Sequence, residues 1–420
     1  MVKMNLKGIS FYLSFFCFPV AFLAFINILY SSYFDYFLSF DSYLITLIIS
    51  LIFGLVFYFF GSKATKKINF IEQLTLIFLV YLIISFLISI PFYLSNFKVS
   101  FLSAYFESIS GLTGTGFSIF KNIKYLDPTL ILWRSSSQWI GGLYFLIFLI
   151  FLFSNKSFNY KMTNLTYSGD NNFKSEENIK NNVLKIFIFY IILGLIIFSL
   201  LNTSGVRLFN SLNLSMTLVS GGGFLPSDNL MEIISSNLQK IVLIFSLIIG
   251  MLNFYFLFNI FNKKLFAKSH KEDLYLLALS IVFILLIYFN SFDDLNLIIS
   301  VLSSLSNSGI SIIKTDYNLS LYFLFLTIIG GSFISNTSGI KLGRIYILLK
   351  ITSSEIIKLI SPNSVINKTF FNSENKITDE NVKVSFLIFI SFFISIFILS
   401  SFLVIDDIGF EKSFKLSILT

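Results

Sequence analysis

The sequence predicts an all-α integral membrane protein. It is assembled from repeated units of membrane helix, pore loop and membrane helix, with two extra helices at the N-terminus and a fourth unit left incomplete. Three observations carry this. Apolar stretches of bilayer-spanning length recur between short polar connections, lysines gather in alternate connections, and a motif of short helix, small residues and glycine returns three times in the connections poorer in positive charge.

Lipid is the solvent for most of this chain. Of its 420 residues 55% are hydrophobic and 12% charged, 55 are Phe, and the mean hydropathy is +0.84, far from the balance of soluble domains. Crossing the hydrocarbon layer takes roughly 20 apolar residues. Such stretches fall at 9–31, 42–61, 69–94, 129–154, 183–202, 236–262, 273–290, 318–349 and 383–405, which predicts nine full spans. The first, from Ile9 to Tyr30, is longer than a signal-peptide core and lacks a small-residue cleavage site, so it reads as a mature helix.

Orientation follows from the basic residues. Lys3 and Lys7, then Lys63, Lys66 and Lys67, then Lys156, Lys161, Lys174 and Lys180, then Lys263, Lys264, Lys268 and Lys271, then Lys350, Lys358, Lys368 and Lys376 all fall on one side. By the positive-inside rule that side is the cytoplasm, and the N-terminus lies there. The net charge of +8 therefore reads as anchorage to membrane lipid rather than as a nucleic-acid surface. The polar insert from Asn155 to Asn182 reads either as a surface for a cytoplasmic partner or as a plain connection.

Cys17 and His270 are the single cysteine and the single histidine. They leave no material for a disulfide framework, for a thiol or imidazole metal cluster within one chain, or for a histidine-based hydrolytic triad. His270, in the run KSHK (268–271), reads as a solvated loop residue. With no phosphate-binding loop and no paired carboxylates at helical spacing in a span, the sequence does not read as an enzyme.

The informative pattern lies in the outer connections. FLSAYFESISGLTGTGF (101–117), FNSLNLSMTLVSGGGF (209–224) and LNLIISVLSSLSNSGI (295–310) each combine an apolar segment too short to cross with small or hydroxylated residues, a glycine and a large apolar residue. A fourth copy begins at DIGFEKSFKLSILT (407–420). The organisation that follows is 1–68 for two N-terminal helices, 69–154 for the first pore unit and 155–262 for a cytoplasmic loop and the second. A third unit with a broken second helix takes 263–350, and a cytoplasmic linker with the incomplete fourth unit takes 351–420.

Non-helical backbone at membrane depth is tolerated only where protein buries it or where it lines a wet cavity, so glycine-rich loops after half-length helices read as re-entrant. Small residues let a strand turn its carbonyls inward, where they replace the hydration shell of an ion such as potassium. The candidate filter strands are Thr113, Gly114, Thr115 and Gly116; Ser220, Gly221, Gly222 and Gly223; and Ser306, Asn307, Ser308 and Gly309. None holds a carboxylate, which argues against a divalent-cation filter. Any one such stretch could equally be a helix-packing element; three on one side, each behind a half-helix, favour the pore loop.

A second feature is the span LYFLFLTIIGGSFISNTSGIKLGRIYILLK (321–350). Its middle is interrupted by Gly330, Gly331, Ser332, Ser335, Asn336, Thr337, Ser338 and Gly339. A broken helix suits a gate. Lys341 and Arg344 follow it, either facing the pore or snorkelling to the inner interface.

These residues resemble the Trk/Ktr/HKT superfamily of cation transporters. LWRSSSQWIGGL (132–143) is similar to the helix that follows the first pore loop in the bacterial Trk membrane subunit, and SGLTGTGF (110–117) and GGSFISNTSGIKLGR (330–344) match the family in order and spacing. Two spans ahead of the first pore unit point to the Trk branch. The resemblance implies four units around one pore, a homodimer with a pore in each subunit, and a cytoplasmic nucleotide-binding regulatory subunit of the Trk-A type. It also implies potassium as the transported ion, a bacterial inner membrane as the location and no covalently bound cofactor.

Its key filter glycines fall on Gly116, Gly223 and Gly309; serine at the first of these goes with sodium preference in some plant relatives, so Gly116 favours potassium. The sequence departs from the family in two places. Asn336, Thr337 and Ser338 stand where the family is more glycine-rich, and the pattern predicts roughly 50 further residues beyond Thr420, with a fourth filter strand and helix.

The alternative is a secondary transporter or symporter for another monovalent cation, sodium among them. It would need intramembrane acids or bases. The candidates are Glu107, Arg134, Gln138, Lys341 and Arg344, and Glu107 reads equally as an ion-attracting site or as the partner of a nearby donor.

Overall fold

The structure is a computed structural model and describes residues 4–34, 39–65, 67–154, 176–261, 270–288, 294–310, 320–364, 367–372 and 376–420. Among these the only regular elements are helices; an isolated antiparallel bridge joins Thr369 and Lys376. The first 21 residues of the polar insert, 155–175, lie outside the described residues, as do the lysines Lys3, Lys66, Lys156, Lys161, Lys174, Lys263, Lys264 and Lys268. The chain divides into two compact units, one ending at Gln239 and the other running from Lys240 to Thr420.

In the first unit α1 (Leu6–Tyr33) and α2 (Phe40–Gly61) are the extra N-terminal pair. Glycine lets them touch backbone to backbone: a Cβ on Gly61 would lie 2.5 Å from the Phe11 nitrogen and 2.6 Å from the Lys7 carbonyl. Next come α3 (Phe70–Tyr93), the half-length α4 (Phe101–Thr113) and α5 (Pro128–Ser154). They are followed by α6 (Glu176–Thr203) and the half-length α7 (Leu208–Ser220). Glu72 caps α3 by accepting from the Asn69 amide at 2.7 Å, and it also accepts from the Asn5 amide at 2.6 Å, fastening the start of α1 to the start of α3. Deeper in this unit Trp133 donates to the Ile88 carbonyl at 3.0 Å and Tyr144 to that of Phe16 at 2.6 Å.

The second unit holds most of α8 (Asn237–Met251), then α9 (Phe254–Phe261), α10 (Lys271–Tyr288) and the half-length α11 (Asp294–Ser306). It continues through α12 (Ser320–Ile329), α13 (Leu342–Ile360), α14 (Asp379–Ile405) and α15 (Phe410–Leu419). Among the described residues six helices, α1, α2, α3, α5, α6 and α14, contain a segment long and apolar enough to cross a membrane, seven if the bent pair α8 and α9 is taken as one span, where the sequence predicts nine. Burial sorts them. In α5 61% of the apolar window is buried within the protein and in α14 11%, so α5 is a central helix and α14 presents Phe386, Leu387, Phe397 and Phe402 outward, as lipid demands.

Two expectations need correction. The single span read over 236–262 is two helices bent by 111° at Leu252 and Asn253. Asn253 restarts the helix, because its side-chain oxygen accepts from the Tyr255 amide at 2.9 Å as an N-cap does. His270 is not a solvated loop residue. It is buried at the head of α10, 3.2 Å from the Asn259 amide nitrogen and with its ring 5.2 Å from that of Phe256. Burial disfavours the imidazolium and lowers its pKa to about 4.

Candidate functional site

The three half-length helices α4, α7 and α11 have thirteen residues each and end alike. At the next position the chain turns left-handed, with φ of 74° at Gly114, 71° at Gly221 and 53° at Asn307. Their amides return to the helix, to the carbonyls of Gly111 at 3.1 Å, Leu218 at 3.3 Å and Ser304 at 3.3 Å. L-residues resist this conformation, and Gly and Asn resist it least. In the second and third copies the following amide closes a wider turn, Gly222 to Thr217 at 2.9 Å and Ser308 to Ser303 at 3.1 Å; in the first copy Gly116 reaches Ser110 at 3.4 Å. Among the described residues no donor reaches the carbonyl oxygens of 113–115, 220–222 or 306–308.

Gly116 and Gly223 face each other within the first unit. A Cβ added to Gly116 would sit 3.2 Å from both the Cα and the nitrogen of Gly223, and φ at Gly116 is 81°. The left-handed backbone favours glycine there, and the space for a side chain is tight. Gly309, with φ 63°, has nothing within 4 Å of its missing Cβ in the described structure.

Helix α5 holds both of the first unit's loops with one face, on which Arg134, Ser137, Gln138, Gly141 and Gly142 recur at helical spacing. A Cβ on Gly141 would lie 2.0 Å from the Leu112 carbonyl, and one on Gly142 would lie 2.8 Å from Ser220 Cα. Conversely, a Cβ on Gly111 would meet Ser137 Oγ at 2.4 Å and one on Gly222 would meet Gln138 Oε1 at 2.4 Å. Gln138 accepts from the Phe224 amide at 3.1 Å.

Arg134 pairs with Glu107 at 2.8 Å, both fully buried, and donates to Ser118 Oγ at 2.9 Å and the Leu225 carbonyl at 3.4 Å while stacking 4.2 Å over Phe224. Glu107 also accepts from the Ile119 amide at 2.8 Å and Ser118 Oγ at 3.0 Å. The two readings of Glu107 thus resolve: both its oxygens are engaged in fixing the chain that leaves the first loop. A buried charge needs such partners, because the solvation it gave up must be replaced.

In the second unit the break over 330–341 folds back on α12. Ile340 and Lys341 return their amides to the carbonyls of Ile328 and Ile329, both at 2.9 Å, and Gly331 donates to Thr337 Oγ1 at 3.0 Å. Ser335 bonds the Ser332 carbonyl at 2.7 Å and Thr337 Oγ1 at 2.8 Å. Lys341, for which the sequence left facing the pore and snorkelling to the inner interface open, is buried rather than snorkelling. Its buried ammonium bends into its own loop and donates to Thr337 Oγ1 at 2.7 Å, Ser335 Oγ at 3.1 Å and the Thr337 carbonyl. Arg344 is half-buried, with its guanidinium 4.9 Å above the Phe333 ring and a bond to the Ile340 carbonyl at 3.0 Å. Asn336 and Gly339 lie on the same loop, and Gly339 carries φ 83°.

Sequence reasoning missed two residues that hold this loop. Glu272 accepts from the Gly343 amide at 3.0 Å and Asp273 from the Asn253 amide at 2.8 Å, while Phe254 donates to the Ile334 carbonyl at 2.8 Å and Ser332 to that of Met251 at 3.0 Å. The break in 330–341 and the bend between α8 and α9 are therefore joined. Two successive acids at the head of an apolar helix were the available signal, since buried carboxylates require donors. Among the described residues no group of three or more His, Cys, Asp or Glu side chains is placed to hold a metal ion.

Residues 41–292 match the family model described as TrkH, cation transport protein. An uncharacterized cation transporter of Methanocaldococcus jannaschii is 30% identical over 368 residues, covering 83% of this chain and 73% of that one. The Trk system potassium uptake protein TrkH of Salmonella typhimurium is 23% identical over 341 residues, covering 76% and 70%. The crystal structure of the potassium transporter TrkH from Vibrio parahaemolyticus superposes with a TM-score of 0.83 at 17% identity, over 99% of this chain and 90% of that one, which shows the shared fold.

Proposed function

The chain belongs to the TrkH family of cation transport proteins, membrane transporters rather than enzymes, and from that membership we propose that it conducts potassium selectively through a gated pore. The observation that carries the proposal is that, among the described residues, no donor reaches the carbonyls at 113–115, 220–222 or 306–308, with Gly116 set against Gly223 where a side chain would intrude. The residues proposed to meet the ion are Thr113, Gly114, Thr115, Gly116, Ser220, Gly221, Gly222, Gly223, Asn307, Ser308 and Gly309. The proposed gate is the loop of Gly330, Gly331, Ser335, Asn336, Thr337, Ser338 and Gly339, with Lys341 and Arg344.

A carbonyl lining binds a dehydrated monovalent cation without a fixed counter-charge, which suits passage better than tight capture. The membrane potential supplies about 2.3 kcal/mol per charge for each 100 mV, enough to draw potassium in without ATP. The relatives named as Trk system potassium uptake proteins support potassium as the ion. We further propose a homodimer in a bacterial inner membrane, N-terminus cytoplasmic, regulated by a cytoplasmic nucleotide-binding subunit. The sodium-coupled alternative is disfavoured by the engagement of Glu107 and Arg134 with each other.

The test is growth of a bacterial strain lacking its own potassium uptake systems at micromolar external potassium. Expression of the full chain with its regulatory subunit should restore growth. Membrane-inserted protein that gives no growth advantage at any potassium level would remove the proposal.

A further inference from the structure

We propose that Asn307 is a positioning residue that couples the third pore loop to the broken helix, its side-chain amide capping the open end of α12 while holding the hydroxyl of Ser338. The proposal rests on the filter and gate reading above and adds a physical link between the two.

Asn307 occupies the place that glycine takes in the other loops, and it adopts the same left-handed turn. Glycine would serve the turn better. What asparagine adds is a side chain, whose Nδ2 lies 2.7 Å from Ser338 Oγ and 3.2 Å from the Thr327 carbonyl. A carbonyl can only accept, so the amide nitrogen must be the atom that faces it, and the same choice makes Ser338 Oγ the acceptor of the second hydrogen.

The end of α12 explains why this amide matters. A helix leaves its last carbonyls without partners inside the helix. Leu326 is served by the Gly330 amide at 3.0 Å, Ile328 by Ile340 and Ile329 by Lys341. Thr327 would ordinarily take the amide of Gly331, but that amide is diverted to Thr337 Oγ1. Asn307 supplies the missing donor from another element. The returning loop is also closely seated: a Cβ on Gly330 would lie 2.2 Å from the Ser338 carbonyl, and one on Gly339 would lie 2.8 Å from that of Thr327. Displacing 338–341 from α12 therefore takes Ser338 away from the amide that also sets the third filter strand.

The consequence is that a change at Ser338, on the gate, is felt at the filter only through Asn307. The experiment measures potassium and sodium fluxes of the full chain reconstituted in lipid vesicles. Ser338→Ala is expected to shift the potassium-to-sodium flux ratio by about 2- to 10-fold, the range one hydrogen bond supports, and Ser338→Thr, which keeps the acceptor, should retain the parent ratio. In an Asn307→Gly background, which restores the residue of the other two loops and so preserves the turn, Ser338→Ala should have no further effect.

An unchanged ratio in Ser338→Ala, or the same shift in both backgrounds, would overturn the coupling. If Asn307→Gly does not insert, the contrast between Ser338→Ala and Ser338→Thr decides alone, equal ratios overturning the proposal. Gly116→Ser serves as the control: if it leaves the ratio untouched, the filter reading itself falls and this inference with it, whereas a shift there without one in Ser338→Ala removes the inference alone.

Discussion

The first and third pore loops share a thirteen-residue helix and a left-handed turn, yet they are held by opposite means. The first is clamped. A buried ion pair, Glu107 with Arg134, fixes the chain leaving it, and glycines of α5 press against its backbone at distances no side chain could share. Among the described residues the third is tied to the broken helix by a side-chain amide, from Asn307 to a helix end and a hydroxyl, and no described atom lies within 4 Å of a Cβ at Gly309. The comparison teaches that one backbone geometry can be held by a buried ion pair and close-packed glycines in one repeat and by a side-chain amide in another. The difference lies in what the neighbouring helix offers: a continuous face of small and charged residues in α5, a broken end in α12.

The largest effect should come from unclamping the first loop. Glu107→Gln leaves the Arg134 guanidinium buried with its counter-charge gone, which costs about 3–5 kcal/mol. The thermal transition of the purified protein in detergent should fall steeply, and an unchanged transition would mean that the pair does not fix the loop.

Next in size is Gly141→Ala, whose methyl would meet the Leu112 carbonyl at 2.0 Å; overpacking of this kind costs about 1–3 kcal/mol. Gly309→Ala meets no neighbour in the described structure and carries only the conformational penalty of its left-handed φ, about 1–2 kcal/mol. Melting both variants side by side sharpens the comparison, because equal losses would show that crowding is not what distinguishes the loops.

The effect that is smallest at neutral pH, and shows only in acid, concerns His270. His270, buried beside Asn259 with Asp273 Oδ2 at 3.8 Å, has its pKa lowered from 6.5 to about 4. The folded protein resists protonating this ring more than the unfolded chain does, so the associated stability is complete above about 6.5 and is lost as the pH falls towards 4. His270→Gln should flatten that part of the melting profile, and an equal slope in the variant would assign it to other groups.

How much of this was legible depended on distance along the chain. The helices and the three half-helix loops could be read because hydropathy and glycine act locally. The bend between α8 and α9 could not, since Asn253 is one polar residue that a long apolar window averages away. His270 misled because its lysine-rich neighbours suggest solvent, whereas its burial depends on Phe256 and Asn259. The face of α5 was recognisable as a motif, but its purpose appears only when Leu112 and Ser220 are brought against Gly141 and Gly142. Asn307 could be placed in the third filter strand by alignment with Gly114 and Gly221, while its hold on Ser338, 31 residues away, depends on how the broken helix folds back.

The central claim is that Gly116 faces Gly223 in a carbonyl-lined path that prefers potassium. The direct measurement compares potassium and sodium flux into vesicles carrying the parent chain or Gly116→Ser. The account predicts that the parent favours potassium and that the serine, strained by its left-handed φ and crowded against Gly223, lowers that preference; an identical flux ratio in the two proteins would contradict it.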